Sequence, residues 1–268
     1  MRWLRFMYDG SPTYGYMVEQ DLVVPISGTP FSRQDARPAP GAAPVPYASL
    51  ELLVPVVPQT FYAVGRNYRS HIDSVYRASD PEVKDPERPE IGYRANNALL
   101  PHGAAIRIPA DATEKVHYEG ELVAVIGKKG KHISEQRALE HVFGYTIGND
   151  VSERTWQKTD RTMWRSKNTD TFKPMGPWME THCDLEAMHT NVRVNGELKT
   201  SFQTCDMIFG VARYISTISQ YFTLYPGDVL WMGTAGTSPD LRDGDVVDIE
   251  ITGIGTLSNK VVREPHGE

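Results

Sequence analysis

Residues 117–128, HYEGELVAVIGK, set two acids, Glu119 and Glu121, at the mouth of an otherwise apolar run. Alternate residues on a strand share a face, so both carboxylates project together while Gly120 points the other way and leaves room. Two aligned carboxylates with no basic residue between them repel each other unless a cation sits there. A divalent metal ion is the economical counter-charge. The ordinary alternative for Glu-x-Glu at a strand start is a solvated strand face, so the rest of the chain has to decide between the two.

The chain has 268 residues, 40% hydrophobic and 23% charged, enough to bury a full core in one large domain or in one domain with a small appendage. No apolar run approaches 20 residues, and MRWLRFMYDG interrupts with charge and a turn where a signal peptide needs an apolar core. The expectation is a cytoplasmic protein without membrane association. Cys183 and Cys205 lack metal-ligand spacing, which argues against a disulfide framework or a thiolate zinc site. A net charge of −6 without a basic stripe argues against a nucleic-acid partner and for a small-molecule ligand.

Residues 1–58 alternate short apolar runs (3–8, 14–18, 22–26) with the turn-like DGS and EQD, the pattern of a small antiparallel meander, and RPAPGAAPVP at 37–46 reads as a loop. The expected organisation is a small β-rich N-terminal domain over 1–58 and a catalytic domain over 59–268. From Phe61 onward strands dominate: 61–65, 104–108, 121–127, 144–150, 191–195, 228–234 and 245–255. Helical periodicity predicts helices over 134–143, capped by Ser134, and 205–222, capped by Asp206. The period defines a β-rich α+β fold.

The strand GYTIGND ends in Asp150, a third acid placed where strand gives way to loop. Three carboxylates leave about half of a six-coordinate shell for water and substrate, which suits a chelating 2-oxo acid. An ion there would stabilise an enolate beside the carbonyl. A helix cap or turn role is the alternative for Asp150.

Seven blocks then follow in one succession: GRNYRSH (65–71), YEGELVAVIGK, GYTIGNDVSER with Gln157, KNTDTFKPMGP (167–177), VNGEL (194–198), the stretch from Asp206 to Thr234, and DGDVVDIEITGIGTLSN (243–259). This order resembles the fumarylacetoacetate hydrolase family over almost all of residues 58–262. The resemblance implies mixed β-sheets rolled around a metal site, a small N-terminal domain, a homodimer, and Mg²⁺ or Mn²⁺. It also implies chemistry on acylpyruvates, oxaloacetate or related dioic acids by C–C hydrolysis, decarboxylation or isomerisation, and family membership does not choose among these.

By position, the resemblance makes Glu119, Glu121 and Asp150 the metal ligands and Lys167 the active-site lysine that offsets substrate or oxyanion charge. It gives Gln157 a hydrogen bond to substrate or water and turns Thr234 towards the substrate. Arg154 either binds a substrate carboxylate or braces a ligand acid. Arg66, Asn67 and Tyr68 surround the mouth of the site, Asn67 as readily fixing a turn. Asp170, Thr171 and Phe172 hold the lysine's loop.

The chain departs from the family in three places. The pattern Asn-Tyr-x-x-His-x-x-Glu pairs a histidine with an acid to activate water or move a proton. Here His71 is followed by Ser74, and Asp73 is rotated away by roughly 200° on a helix. The Pro- and charge-rich stretch 78–93 reads as a lid or as a solvated loop, and its Asp80, Glu82, Asp85 and Glu87 are candidate replacements; the other two readings are an altered arrangement held by Ser74 and proton transfer through His71 alone. Arg94 stands near a family lysine and is a candidate grip for a second carboxylate, and Gly233-Thr234-Ala235-Gly236-Thr237 lacks the family proline. The expectation that follows is a metal-dependent C–C hydrolase of an acylpyruvate-type 2-oxo acid. An isomerase or decarboxylase of a 2-oxo or 2-hydroxy-dienoic dioic acid, using the same enolate, is the alternative, and a catalytically silent oxo-acid-binding or scaffold protein is a third possibility of another class.

Overall fold

In the computed structural model, residues 1–32 and 36–265 are described; positions 33–35 and 266–268, the latter ending the expected catalytic domain, lie outside the described residues. The N-terminal meander forms as the turn chemistry predicts, with strands Arg2–Tyr8, Ser11–Val18 and Leu22–Ser27 paired antiparallel. Arg37–Pro38 and Val45–Pro46, within the expected loop, add two short pairings to Leu22–Ser27. These strands continue a larger sheet, because Arg2 and Trp3 pair with Glu180 and Met179 of the strand Lys173–Glu180.

That twelve-stranded sheet runs onward through Val142–Asn149, Gly120–Ile126, Val229–Trp231 and Phe61–Val64. The pair Val229–Trp231 with Phe61–Val64 is parallel, whereas Gly120–Ile126 is antiparallel to both its neighbours. A second sheet of five strands contains His189–Val194, Glu197–Gln203, Val246–Ile251, Gly255–Arg263 and Ile106–Ile108. The mixed, β-rich architecture expected from the period is therefore observed.

The strand Gly120–Ile126 is apolar throughout its second half because both its faces are buried. Leu122, Ala124 and Ile126 belong to the core shared with Val192, Ile249 and Ile251 of the five-stranded sheet. Val123 and Val125 pack on the other side with Trp231, Met175 and Met179. Each of the Leu, Ile and Val side chains contributes about 1.5–3 kcal/mol by burial. A Cβ on Gly120 would stand 2.9 Å from Val192 Cγ2 and 3.1 Å from Ile249 Cγ2, so glycine is what lets the second sheet close against the acidic end of the strand.

The helices differ from the sequence expectation. The long one spans Val211–Tyr221, buries Val211, Tyr214, Ile215 and Ile218 at the expected spacing, and has Gly210, not Asp206, at its N-cap position. Residues 208–209 are held out of the helix by Asn67, whose C=O accepts from Ile208 N at 2.8 Å and whose side-chain oxygen accepts from Phe209 N at 3.0 Å. Glu135–His141 is a 3₁₀-helix, and Ser134 at its N-cap makes no side-chain cap bond. One α-turn, Arg69–His71, passes directly into a π-helix, Ile72–Arg77.

Candidate metal centre

The antiparallel ladder pairs Gly120 with Asn149 and Glu121 with Gly148, and Asp150 N donates to Glu119 O at 2.9 Å as the ladder ends. Two adjacent strand ends thus bring Glu119, Glu121 and Asp150 together, each with one carboxylate oxygen within 4.8 Å of the others. They are 5%, 2% and 1% exposed, which removes the solvated-face alternative for the strand start.

Four cations surround the trio unevenly. Glu119 receives Arg154 Nη2 and Lys167 Nζ, both at 2.6 Å. Asp150 receives Lys167 Nζ at 2.8 Å, Lys173 Nζ at 2.7 Å, and Arg94 through Nη2 at 2.7 Å and Nε at 3.2 Å. Burial alone would raise both acids, yet Arg154 and Lys167 hold Glu119 down to about 2, and Arg94, Lys167 and Lys173 hold Asp150 well below the usual carboxylate range. Glu121 differs: its hydrogen bond comes from the backbone N–H of Gly233 at 2.8 Å, and no ion pair to it exists among the described residues. Burial, Asp150 and Glu119 together push its carboxyl up to about 8. Gly233, at φ 83°, adopts the left-handed turn that aims this N–H inward.

The residues fit a divalent cation on two counts. The donors are all carboxylate oxygens, the choice of hard ions, and a 4.8 Å spread is about twice the metal–oxygen distance of roughly 2.1–2.4 Å. Glu121 is a buried acid short of positive charge in a site where its two neighbours are already balanced.

A cavity of about 60 Å³ opens beside the trio, walled by Arg66, His71, Arg94, Gln157, Lys167 and Thr234 together with Glu119 and Glu121. His71 is buried, with Nδ1 2.7 Å from Gly236 O and Nε2 3.8 Å from Glu119 Oε1. A carbonyl only accepts, so Nδ1 holds the proton and Nε2 keeps its lone pair. Burial lowers the ring's pKa despite Glu119 opposing it. Ser74 does not reach His71, since its hydroxyl donates to Ser70 O at 2.7 Å.

The remaining expected residues are placed as follows. Arg94 spends Nε and Nη2 on Asp150 and Nη1 on Tyr93 O. Arg154 braces Glu119, donates to Gln157 Oε1 at 2.8 Å and directs Nε to His117 Nδ1 at 3.2 Å. Arg66 pairs with Glu90 at 2.6 Å. Asn67 fixes the fold rather than a ligand, donating to Phe209 O and Met232 O. Asp85 ties the 78–93 stretch down through Arg69 at 3.0 Å and Arg77 at 2.8 Å, and Asp80, Glu82, Asp85 and Glu87 do not line the cavity.

Lys173 is a residue the sequence reading missed. It is fully buried, donates to Val151 O and Phe172 O as well as to Asp150, and burial pulls its amine down to about 7. Its only signal was its place between Phe172 and Pro174 in the run 172–177, which is otherwise apolar.

Residues 60–262 match the model of the fumarylacetoacetate hydrolase C-terminal domain, and residues 1–55 match one described as Rv2993c-like, N-terminal. The chain belongs to the fumarylacetoacetate hydrolase family of enzymes. It is 37% identical over 218 residues to the oxaloacetate tautomerase YisK of Bacillus subtilis, covering 78% of this chain and 71% of that one. Among solved structures, a 2-hydroxyhepta-2,4-diene-1,7-dioate isomerase from Mycobacterium marinum superposes with a TM-score of 0.86 at 35% identity, covering 98% of this chain and 99% of that one. A maleylpyruvate hydrolase from Sphingobium sp. SYK-6, in complex with manganese(II) and pyruvate, gives 0.78 at 25% identity, covering 98% and 99%. Among the described residues, no helix is long and apolar enough to cross a membrane.

Proposed function

We propose that this enzyme enolises and reprotonates a small 2-oxo acid, as a tautomerase or isomerase, with Glu119, Glu121 and Asp150 holding Mg²⁺ or Mn²⁺. The observation that supports this reading most is the surroundings of His71. Its Nδ1 is bound to a backbone carbonyl, and Ser74, where the family pattern has an acid, is turned back on its own helix.

A bound divalent ion supplies a Lewis acid for the keto and carboxylate oxygens of the substrate. The protein supplies the rest. His71 Nε2, neutral and inside the cavity, accepts a proton from the carbon next to the carbonyl and returns it to another atom of the same substrate. Lys167 offsets the oxyanion charge that develops, and Gln157 and Thr234 orient the acid. Arg154 and Arg94 hold Glu119 and Asp150 in place as ligands. No atom is gained or lost, so no activated water is required.

Hydrolysis of an acylpyruvate, placed first by the sequence, keeps one supporting observation: a cavity of about 590 Å³ adjoins the inner one and has room for an acyl leaving group. The two readings separate in one assay of enol absorbance and pyruvate release with Mn²⁺, using oxaloacetate and a panel of acylpyruvates. Accelerated loss of the enol without pyruvate is expected. Pyruvate released in step with a carboxylic acid, or no acceleration on any substrate, would overturn the proposal.

A further inference from the structure

The brace on Glu119 is itself held. Arg154 leads the short helix Arg154–Gln157, and each nitrogen of its guanidinium donates to a different residue: Nη2 to Glu119 at 2.6 Å, Nη1 to Gln157 at 2.8 Å and Nε to His117 Nδ1 at 3.2 Å. Acceptors in three directions fix the plane of a rigid fork. His117 therefore helps to set how Arg154 meets both Glu119 and Gln157, two walls of the inner cavity.

His117 can accept from Arg154 only through an unprotonated Nδ1, because a guanidinium N–H donates and never accepts. On the other side of the ring Nε2 lies 2.9 Å from Asp240 Oδ1, and a carboxylate only accepts, so Nε2 carries the proton. Both neighbours demand the same neutral tautomer. Backbone brings the three residues into line. Val116–His117 pairs antiparallel with Ser152–Glu153, and Arg154 N donates to Lys115 O at 2.8 Å. Along the opposite edge Leu241 N donates to Val116 O at 2.8 Å and Tyr118 N to Ser238 Oγ at 3.1 Å, which anchors the chain on both sides of Asp240. The second oxygen of Asp240 takes the exposed Lys115 Nζ at 2.7 Å.

We infer that Asp240 and His117 are positioning residues of the metal centre: Asp240 holds the ring of His117, His117 holds the guanidinium of Arg154, and Arg154 presents Glu119 to the ion. This rests on the proposed metal site and extends it to residues that touch neither ion nor substrate. Outer partners of a metal ligand tune its affinity by fixing its orientation. The His117 and Asp240 side chains are 21% and 32% exposed and act one step farther out than Arg154, so the effect is that of one hydrogen bond partly open to water.

The test joins Mn²⁺ affinity, measured calorimetrically, with the tautomer of His117, read by ¹⁵N NMR on the metal-free, histidine-labelled protein and assigned by the signal lost in His117→Phe. Wild type is expected to show Nδ1 unprotonated and Nε2 protonated. Asp240→Ala should weaken Mn²⁺ binding roughly three- to tenfold. Asp240→Asn keeps an acceptor oxygen for Nε2 but loses the ion pair with Lys115, and should retain most of the wild-type affinity. Lys115→Ala should bind Mn²⁺ as wild type does, since the ion pair alone is not the device. Unchanged affinity in Asp240→Ala, an Asn variant as impaired as the Ala one, or a His117 proton on Nδ1 each overturns the relay. A wild type that binds no Mn²⁺ overturns the metal reading itself, and the role of the relay with it.

Discussion

Arg94 grips Asp150 with two nitrogens, Nη2 at 2.7 Å and Nε at 3.2 Å, both side chains being buried from solvent. A bidentate guanidinium–carboxylate pair fixes orientation as well as charge, and Asp150 is thereby held beside Glu119 and Glu121. Arg94→Ala should weaken Mn²⁺ binding roughly 10- to 100-fold, as loss of an outer partner of a metal ligand does. Arg94→Lys should restore part of it. A Mn²⁺ titration followed by thermal shift decides this, and unchanged affinity in Arg94→Ala would return the residue to a substrate-binding role.

Glu121 carries the opposite electrostatic load. Its ordinary value of 4.5 is pushed to about 8 by burial and then by Asp150 and Glu119. A carboxyl whose folded value exceeds its unfolded one stabilises the fold below about 4.5 and loses that contribution as pH rises through about 8. The metal-free protein is therefore expected to lose stability across that window, and Glu121→Gln should raise its Tm at pH 8.5 by roughly 5 °C. The same variant should show no stabilisation by Mn²⁺. A variant that melts lower than wild type without metal would refute the charge argument.

His71 is expected to move the proton without holding the ion. His71→Ala should retain the Mn²⁺-induced thermal shift and slow turnover by roughly 10²-fold or more. Because burial lowers the pKa of the ring, activity should not fall as pH is lowered from 8 to 7 on account of this group. Turnover equal to wild type would remove the histidine from the mechanism.

Lys173 is buried against Asp150 and two backbone carbonyls. Lys173→Met keeps the length of the side chain and removes its charge, leaving those acceptors unpaired. A loss of roughly 3–5 kcal/mol in stability is expected from chemical denaturation, as for breaking a buried pair. A loss under about 1 kcal/mol would mean that water or Lys167 takes its place.

The parts of the fold that sequence made legible are those with strong local signals. The acidic strand announced itself by an apolar run that opens on Glu-Gly-Glu, and Gly120 has a steric reason, the close approach of Val192 and Ile249. The N-terminal meander followed from DGS and EQD. The acidic trio was legible because strand period and family order agreed on the same three residues. What was not legible depends on contacts distant in sequence. Asn67 decides where the Val211–Tyr221 helix begins, from more than 140 positions away, and no local pattern encodes that. The strand Lys173–Glu180 was hidden by its two prolines and glycine, and it exists because it pairs with both Val142–Asn149 and the N-terminal strand. Of the three readings for His71, neither Ser74 nor the acids of 78–93 reaches it: Ser74 donates to Ser70 O, the carboxylate facing the ring is Glu119, and its hydrogen-bond partner is the backbone of Gly236.

With its carboxyl pushed up to about 8, Glu121 is expected to exchange a proton for the ion that the acidic trio is proposed to hold. Isothermal titration of Mn²⁺ into the metal-free protein at pH 7, in two buffers of different ionisation enthalpy, measures that exchange. The account predicts release of about one proton per ion bound, with apparent affinity rising roughly tenfold per pH unit up to about 8. Mn²⁺ bound without proton release, or no binding by the wild-type protein, would contradict it.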